Sequence, residues 1–543
     1  RIMGRQAAGH AFLRAAVAGR QGQTVHAYTP YRRSAEAFAQ LVAELDPSAT
    51  AAWVPADRLD LLARIGTLYL PGPGLDDAAR LRLRAGAAAY SLAGVTHTTA
   101  SHGAMDAIAG LLSAPVMPWD ALICTSTAVA GTVKVLLEAE LEYLRWRFGN
   151  TLAVTLPQLP IIPLGVHCGD FVFPPAERSA ARAALGIGED EVVALFVGRL
   201  SFHAKAHPHA MYAALEAAAA RTGKKIVLLQ CGWFANEAIE RSFGEGARQF
   251  CPAVRALFLD GKEAGHRRQS WGAADLFISL SDNIQETFGL TPIEAMAAGL
   301  PVVVTDWNGY KDTVRDGVDG FRIPTWMPPP NLGEGFARAH EAGVENYDFY
   351  CGLSCQTVAV DGQVLAERLS DLAANPDLRR SMGEAGRQRA WAEYEWAVVY
   401  RRYQALYGQL AEIRRSAPDS PDWRNRLAAA PRAAASRLDP YQSFARYPTA
   451  QIQPGTLVSA ASGASRKAYE QLREHGLFAY AVKILPAPEV VERLLASLGQ
   501  GARTVQLLAE GAGVEVGVAV LAVAVLAKMG LVRLSAEAAL APE

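Results

Sequence analysis

Glu286 and Glu294 stand at the two ends of the stretch ETFGLTPIE, with Phe288, Gly289, Leu290 and Thr291 between them. The run before it, DLFISLS, is largely apolar and reads as a buried parallel strand, and the run after it reads as a short helix stopped by Gly299 and Pro301. Such a strand, glycine turn and helix put backbone N–H groups and the positive end of a helix dipole at the carboxyl edge of a sheet, which suits a phosphate. Thr291, Pro292 and Glu294 also fit a capping box, with Thr291 as N-cap, Pro292 at the first helical position and Glu294 reaching back from the third. Leu290 and Thr291 then keep free N–H groups. Two carboxylates would repel a bare phosphate. They make sense as hydrogen-bond acceptors for neutral hydroxyls on either side of it, one set from a sugar and one from a ribose.

The elements that must position this stretch come in two series. From about residue 24 to 165, apolar runs (TVHAYTP, IGTLYLP, YSLAGVTH, ALICTS) alternate with helical ones, ending in the long STAVAGTVKVLLEAELEYLRWRF. A second series, VVALFVG, KIVLLQCG, ALFLDG, DLFISLS and PVVVTD, follows from about 192, each run leading into a plausible helix. The alternation predicts an α/β protein with two Rossmann-like domains in tandem, each a parallel sheet flanked by helices. The opening MGRQAAGHAFLRAAV reads as a glycine turn at Arg5–Gly9 running into a helix, which implies a strand upstream of residue 1. Residues 396–415 read as a long helix closing the second domain, and SAPDSPDW as the start of a linker. The expected division is 1–165, 166–415, a linker over 416–460, and an Ala-rich helical module over 461–543.

Composition narrows the function classes. With 53 basic and 54 acidic residues the chain carries no global charge to draw a polyanion, so nucleic acid is not an expected partner. Six cysteines in 543 residues form no disulfide framework and fit a reducing cytoplasm. Cys351 and Cys355 lack a second ligand pair, and His203, His207 and His209 lack a nearby carboxylate, so no metal site is expected. No signal peptide is visible, and the most apolar run, Val516 to Ala527, is too short to span a bilayer. Contact with a membrane would be peripheral.

Three motifs in order, FVGRLSFHAK, ETFGLTPIEAMAAGLPVVVTD and DTVRDGVDGFRI, resemble the donor-binding domain of retaining glycosyltransferases of the glycogen synthase and sucrose synthase type, family four, built from two Rossmann-like domains facing a cleft (the GT-B fold). The resemblance covers roughly residues 1–415 and is strongest from 192 to 325. It implies transfer of a sugar from a nucleoside diphosphate sugar, a UDP- or GDP-sugar, to a glycan, lipid, small-molecule or protein acceptor. It implies that Glu286 accepts hydrogen bonds from the sugar hydroxyls, that Glu294 takes the ribose, and that the amides of Phe288, Gly289, Leu290 and Thr291 face sugar and phosphate. Arg199 and Lys205 match the cations that neutralise the diphosphate, although their spacing is one residue longer than the family pattern. His97, in GVTHTTAS at a strand end, matches the histidine that orients the sugar. Backbone groups from Gly4 to Gly9 would approach the phosphates or the acceptor. No Asp-x-Asp occurs, which agrees with a leaving group stabilised by protein cations and no metal or other cofactor.

Residues 490–535 read as a winged helix-turn-helix. Its second helix, near 514–529, has Lys528 as its sole candidate reader of bases, so packing or homodimerisation is expected in place of DNA binding. The competing reading is a regulator that senses a sugar nucleotide and contacts DNA or protein through this module.

Overall fold

The computed structural model describes residues 4–150 and 153–535, which fall into two compact units, residues 1–434 and 435–543. The first unit holds two α/β domains. Its first domain runs α1 (Gly4–Ala18), β1 (Val25–Thr29), α2 (Arg32–Leu45), β2 (Ala51–Pro55), α3 (Leu59–Ile65), β3 (Thr67–Leu70), α4 (Asp76–Arg82), β4 (Ser91–Val95), α5 (His102–Ala109), β5 (Ala121–Ile123) and α6 (Thr127–Phe148). All its strand pairs are parallel, as the alternation predicts, but they form a pair β1-β2 and a separate three-stranded sheet β3-β4-β5. A fully buried ion pair ties that sheet to its helices. Arg82 meets Asp120 at 2.5 and 2.8 Å and donates to the carbonyls of Tyr90 and Pro115, while Asp120 accepts from the amides of Leu92 and Met117. Both terminal guanidinium nitrogens and both carboxylate oxygens are bonded, which offsets much of the usual cost of buried charge, while the Arg82 Nε is buried without a partner.

The second domain runs α7 (Pro175–Ala184), β6 (Val192–Val197), α8 (His209–Thr222), β7 (Ile226–Gly232), α9 (Glu237–Phe250), β8 (Arg255–Asp260), α10 (Ala264–Ala273), β9 (Leu276–Ser279), α11 (Leu290–Ala297), β10 (Val302–Thr305), α12 (Tyr310–Thr313) and β11 (Gly320–Ile323). Its six parallel strands lie in the order β11-β10-β9-β6-β7-β8. In order of appearance that is 6-5-4-1-2-3, the doubly wound Rossmann order, whose switch point lies between β6 and β9. The loop carrying Arg199 and Lys205 follows β6, and the loop carrying Glu286 follows β9, so the fold delivers both to the crevice where such sheets bind ligands.

Three sequence expectations change here, and one excursion had no counterpart in the sequence reading. The Arg5–Gly9 turn is absent: α1 begins at Gly4, and Gly9 sits in its second turn, beyond the four N–H groups that a helix leaves free. After β11 the chain makes a long excursion, β12 (Thr325–Trp326), α13 (Glu334–Glu341), α14 (Tyr347–Cys355) and β13 (Ala359–Val360), before α15 (Gly362–Ala374) and α16 (Pro376–Arg389). The helix expected to close the second domain, α17 (Trp396–Ser416), packs instead on the first, where Trp396, Val399, Tyr403 and Leu406 bury against Ala15, Val95, Ala121 and Ile123. The first stretch of the expected linker is not a linker. It forms α18 (Pro421–Ala428), and Trp423 packs edge-on against the buried Trp119 at 5.4 Å. The chain thus crosses between the domains twice, and the crossings bond to each other: the Val166 amide donates to the Tyr394 carbonyl and the Trp396 amide to the Val166 carbonyl, at 2.8 and 3.1 Å.

The second unit contains α19 (Pro440–Ser443), β14 (Leu457–Ala460), α20 (Arg466–Glu474), α21 (Gly476–Ala479), α22 (Pro488–Leu498), β15 (Arg503–Thr504), α23 (Val505–Ala512), α24 (Val516–Lys528) and β16 (Val532–Ser535), with an antiparallel sheet in the order β15-β14-β16. One face of α24, through Ala519, Ala522, Val523 and Leu526, builds the unit's own core with Leu494, Leu508 and Tyr469. Val518 and Leu521 remain about half exposed on its other side. Among the described residues no single helix is long and apolar enough to cross a membrane.

Candidate functional site

A cavity of about 1250 Å³ lies between the two domains of the first unit. It is lined by Arg199, Lys205, Glu286, Phe288, Gly289, Leu290, Thr291 and Glu294 from the second domain and by His97 from the first. Nine of the eleven residues singled out in the sequence therefore meet in one place. Gly4 and Gly9 are not among the lining residues; Ala8 of the same helix is.

The turn after β9 departs from the capping-box expectation. Gly289 is the N-cap of α11, with φ +86°, and no side chain caps the helix. A left-handed residue with no Cβ lets the helix begin two positions earlier than Thr291 would allow. Only glycine fits here, since a Cβ would lie 2.0 Å from the Tyr310 ring. The amides of Leu290 and Thr291 fall in the first helical turn, where no intrahelical carbonyl reaches them, and Pro292 has no N–H to offer. The Thr291 hydroxyl is buried with no hydrogen-bond partner. Glu294, released from any capping role, lines the cavity. At the other end, Gly299 at φ +78° and the Leu300 amide bonded to the Ala295 carbonyl at 2.9 Å close the helix as a glycine stop should.

Electrostatics answers why two acids can flank an anion site. Glu286 is paired with Lys205, and their side chains are 12% and 22% exposed. Burial works to raise the Glu286 carboxyl, but the Lys205 charge and hydrogen bond outweigh it and hold the group below its ordinary range. Burial likewise works against the Lys205 ammonium, and Glu286 carries it back above the ordinary value. Glu294 has no such partner. Burial pushes its carboxyl up to about 7, against the opposing pull of Arg267 and Lys205. One acid is neutralised by a cation and the other partly by a proton, leaving Arg199 and the α11 amides to face an anion unopposed.

Arg199 is aimed by two acceptors, the Ala204 carbonyl at 2.8 Å and the Gln285 Oε1 at 2.7 Å. The domains meet at Thr287, next to Glu286. Its hydroxyl donates to the His97 carbonyl, and its own carbonyl accepts from the Ser126 hydroxyl at 2.8 Å. That contact brings the His97 strand end to the Glu286 turn. Asn308, at φ +35°, donates to the Glu286 carbonyl and so braces the turn from the β10 side.

Sequence reasoning did not single out the Pro71–Gly74 loop after β3, Ser101 and Ala104 at the start of α5, Trp233 after β7, or Lys262 and Arg267 after β8, all of which line the cavity. The LPGPG run was a visible signal for a loop at a strand's carboxyl end. Lys262 and Arg267 had none, because one basic residue after a strand looks like any solvated charge.

Residues 177–339 match the family model described as Glycosyl transferases group 1. The D-inositol 3-phosphate glycosyltransferase of Nocardia farcinica is 34% identical over 151 residues, covering 27% of this chain and 33% of the relative. Its namesake in Geodermatophilus obscurus is 37% identical over 179 residues, covering 30% and 36%. The chain thus spans about a third of the length of the curated relatives it matches. Among solved structures, Anabaena HepE in complex with UDP and glucose is similar over 74% of this chain and 96% of that one, at 16% identity and a TM-score of 0.48.

Proposed function

We propose that this protein is a glycosyltransferase that moves a sugar, with retention of its anomeric configuration, from a UDP- or GDP-sugar to an acceptor entering from the first-domain side of the cleft. The observation that carries the reading is the convergence, in one interdomain cavity of a chain that matches the group 1 model, of two glutamates, two cations and a helix N-terminus. In this reading the α11 amides and Arg199 take the diphosphate, Glu294 takes the ribose hydroxyls, and Glu286 with His97 holds the sugar. Lys205 pairs with Glu286 and lines the same cavity, so in this reading it balances the acid in the resting site and the developing diphosphate charge in the reaction. A thermal-shift screen against UDP-, GDP- and ADP-sugars tests the assignment, since a ligand that binds the folded state raises the melting temperature by mass action. One nucleotide series should stabilise; no shift with any at millimolar concentration would refute it.

The raised Glu294 carboxyl gives a pH signature. Ribose hydroxyls donate best to the ionised form, so binding of UDP-glucose, whose diphosphate diester keeps its charge across this range, should weaken roughly tenfold between pH 8 and pH 6 as the group protonates through about 7. Calorimetric titration at both pH values checks this, and Glu294→Gln should flatten the dependence.

The second unit serves in this reading as a winged-helix-like interaction module, for a second copy or for the acceptor. The half-exposed Val518 and Leu521, with Lys528 the sole candidate base reader on α24, support that role. Truncation after Ala434 should leave nucleotide affinity unchanged while altering the oligomeric mass seen by light scattering, or the use of acceptor. Truncation after Arg415 should also lower the melting temperature, because it removes Trp423 from Trp119. Unchanged mass and acceptor use, together with micromolar binding of random duplex DNA, would favour a regulator.

A further inference from the structure

The excursion over residues 324–361 is far longer than the few residues that normally join a strand to the next helix of such a sheet, and excursions of this size in compact domains tend to be functional. It is folded against both sides of the cleft. On the second-domain side, α14 backs onto the loop that carries Arg199 and Lys205. The Cys355 thiol lies 3.4 Å from both the Phe202 carbonyl and the Asp282 carboxylate, and a Cβ on Gly352 would come within 2.9 Å of His203. On the first-domain side, His340 stacks on His102 at 3.8 Å, with Tyr350 stacked on the far face of the pile at 4.8 Å from His340. The His340 ring is set by its Nδ1 contact with the Glu345 carbonyl at 2.9 Å.

A hydrogen-bonded relay runs through the same element. Arg199 can only donate, so the Gln285 amide must turn its oxygen to Arg199, at 2.7 Å, and its NH₂ to the Tyr347 hydroxyl, at 3.1 Å. The Tyr347 oxygen is then an acceptor, and the same hydroxyl shares a hydrogen bond with Thr98 Oγ1 of the first domain, at 3.3 Å, in which either oxygen can donate. Thr98 follows His97. The orientation of the guanidinium in one domain is thereby tied to the strand end that bears His97 in the other.

We propose that residues 324–361 form an interdomain latch, in which Tyr347 is a positioning residue that couples the setting of Arg199 to closure of the cleft through Gln285 and Thr98. The Arg199 half of the coupling rests on its reading as the diphosphate cation; the closure half does not. The two covalent crossings at Val166 and Glu395 act as the hinge, and the latch is the noncovalent connection that resists opening.

The six native cysteines are buried, so dyes can be placed on the full chain through Glu36→Cys and Glu237→Cys, on exposed helices of the first and second domains. Single-molecule energy transfer without ligand should give one high-transfer population in the parent. Tyr347→Phe and His340→Ala should each add a lower-transfer population, whereas His340→Phe, which keeps the stack, should not. UDP affinity should fall roughly fivefold in Tyr347→Phe, the loss of about one hydrogen bond's worth of positioning, and stay unchanged in His340→Phe. Thr98→Val provides the same break should Tyr347→Phe fail to fold, with Thr98→Ser as its rescue. Transfer distributions identical to the parent in the broken variants would overturn the latch, and open populations with unchanged UDP affinity would overturn the coupling to Arg199. Failure of both UDP and GDP to bind the parent would instead refute the proposed function and leave closure to be judged by energy transfer alone.

Discussion

Glu286→Gln is expected to lower sugar transfer by roughly 10- to 100-fold while nucleoside diphosphate affinity stays within about threefold, because in the proposed site the group contacts the sugar and not the nucleotide. The lost interaction is one or more hydrogen bonds to a charged acceptor, about 1.5 to 3 kcal/mol. The Lys205 pairing sharpens the prediction. Removing the carboxylate charge releases the ammonium from its partner, so diphosphate affinity should hold or rise and should not fall. Steady-state kinetics beside calorimetry with the free diphosphate separates the two effects. An equal loss of diphosphate binding would place Glu286 on the nucleotide and contradict the site as built.

Arg199→Ala should have the larger effect, on the order of 100- to 1000-fold in kcat/KM, with UDP affinity falling as well. Arg199 is held by the Ala204 carbonyl and Gln285 and pairs with no carboxylate among the described residues, so in the proposed site its full charge is available to the leaving diphosphate. Activity is expected to persist in EDTA, since in the proposed site protein cations carry that charge. Complete loss on chelation, with recovery on adding manganese or magnesium, would transfer the role to a metal ion.

The second-domain strands were legible because their apolar runs are continuous and spaced by helices of ordinary length, from Val192–Val197 through Val302–Thr305, and all but the edge strand β8 are buried on both faces. Glu286 and Glu294 were legible from the strand, glycine turn and helix around them, and Arg199 and Lys205 only through the family resemblance; the Rossmann order then sends the loops after β6 and β9 to one crevice. Where reading failed, the cause was local chemistry or distance. Thr291-Pro292-Ile293-Glu294 has the letters of a capping box, yet the left-handed Gly289 two residues earlier starts the helix first. The long helix at Trp396 has an apolar face that suits either sheet, and nothing in its periodicity says which domain it will cover. The excursion at 324–361 was silent because its ties, Tyr347 to Thr98 and His340 to His102, join residues more than 230 positions apart.

The central claim is that the cleft turns over a nucleotide sugar with retention. It is tested most directly by proton NMR of the sugar released when water serves as acceptor for the donor picked out by the thermal-shift screen. The account predicts that the α-anomer appears first from an α-linked donor, in step with nucleoside diphosphate, and equilibrates only afterwards. First appearance of the β-anomer, or no release at all from a donor that binds, would contradict it.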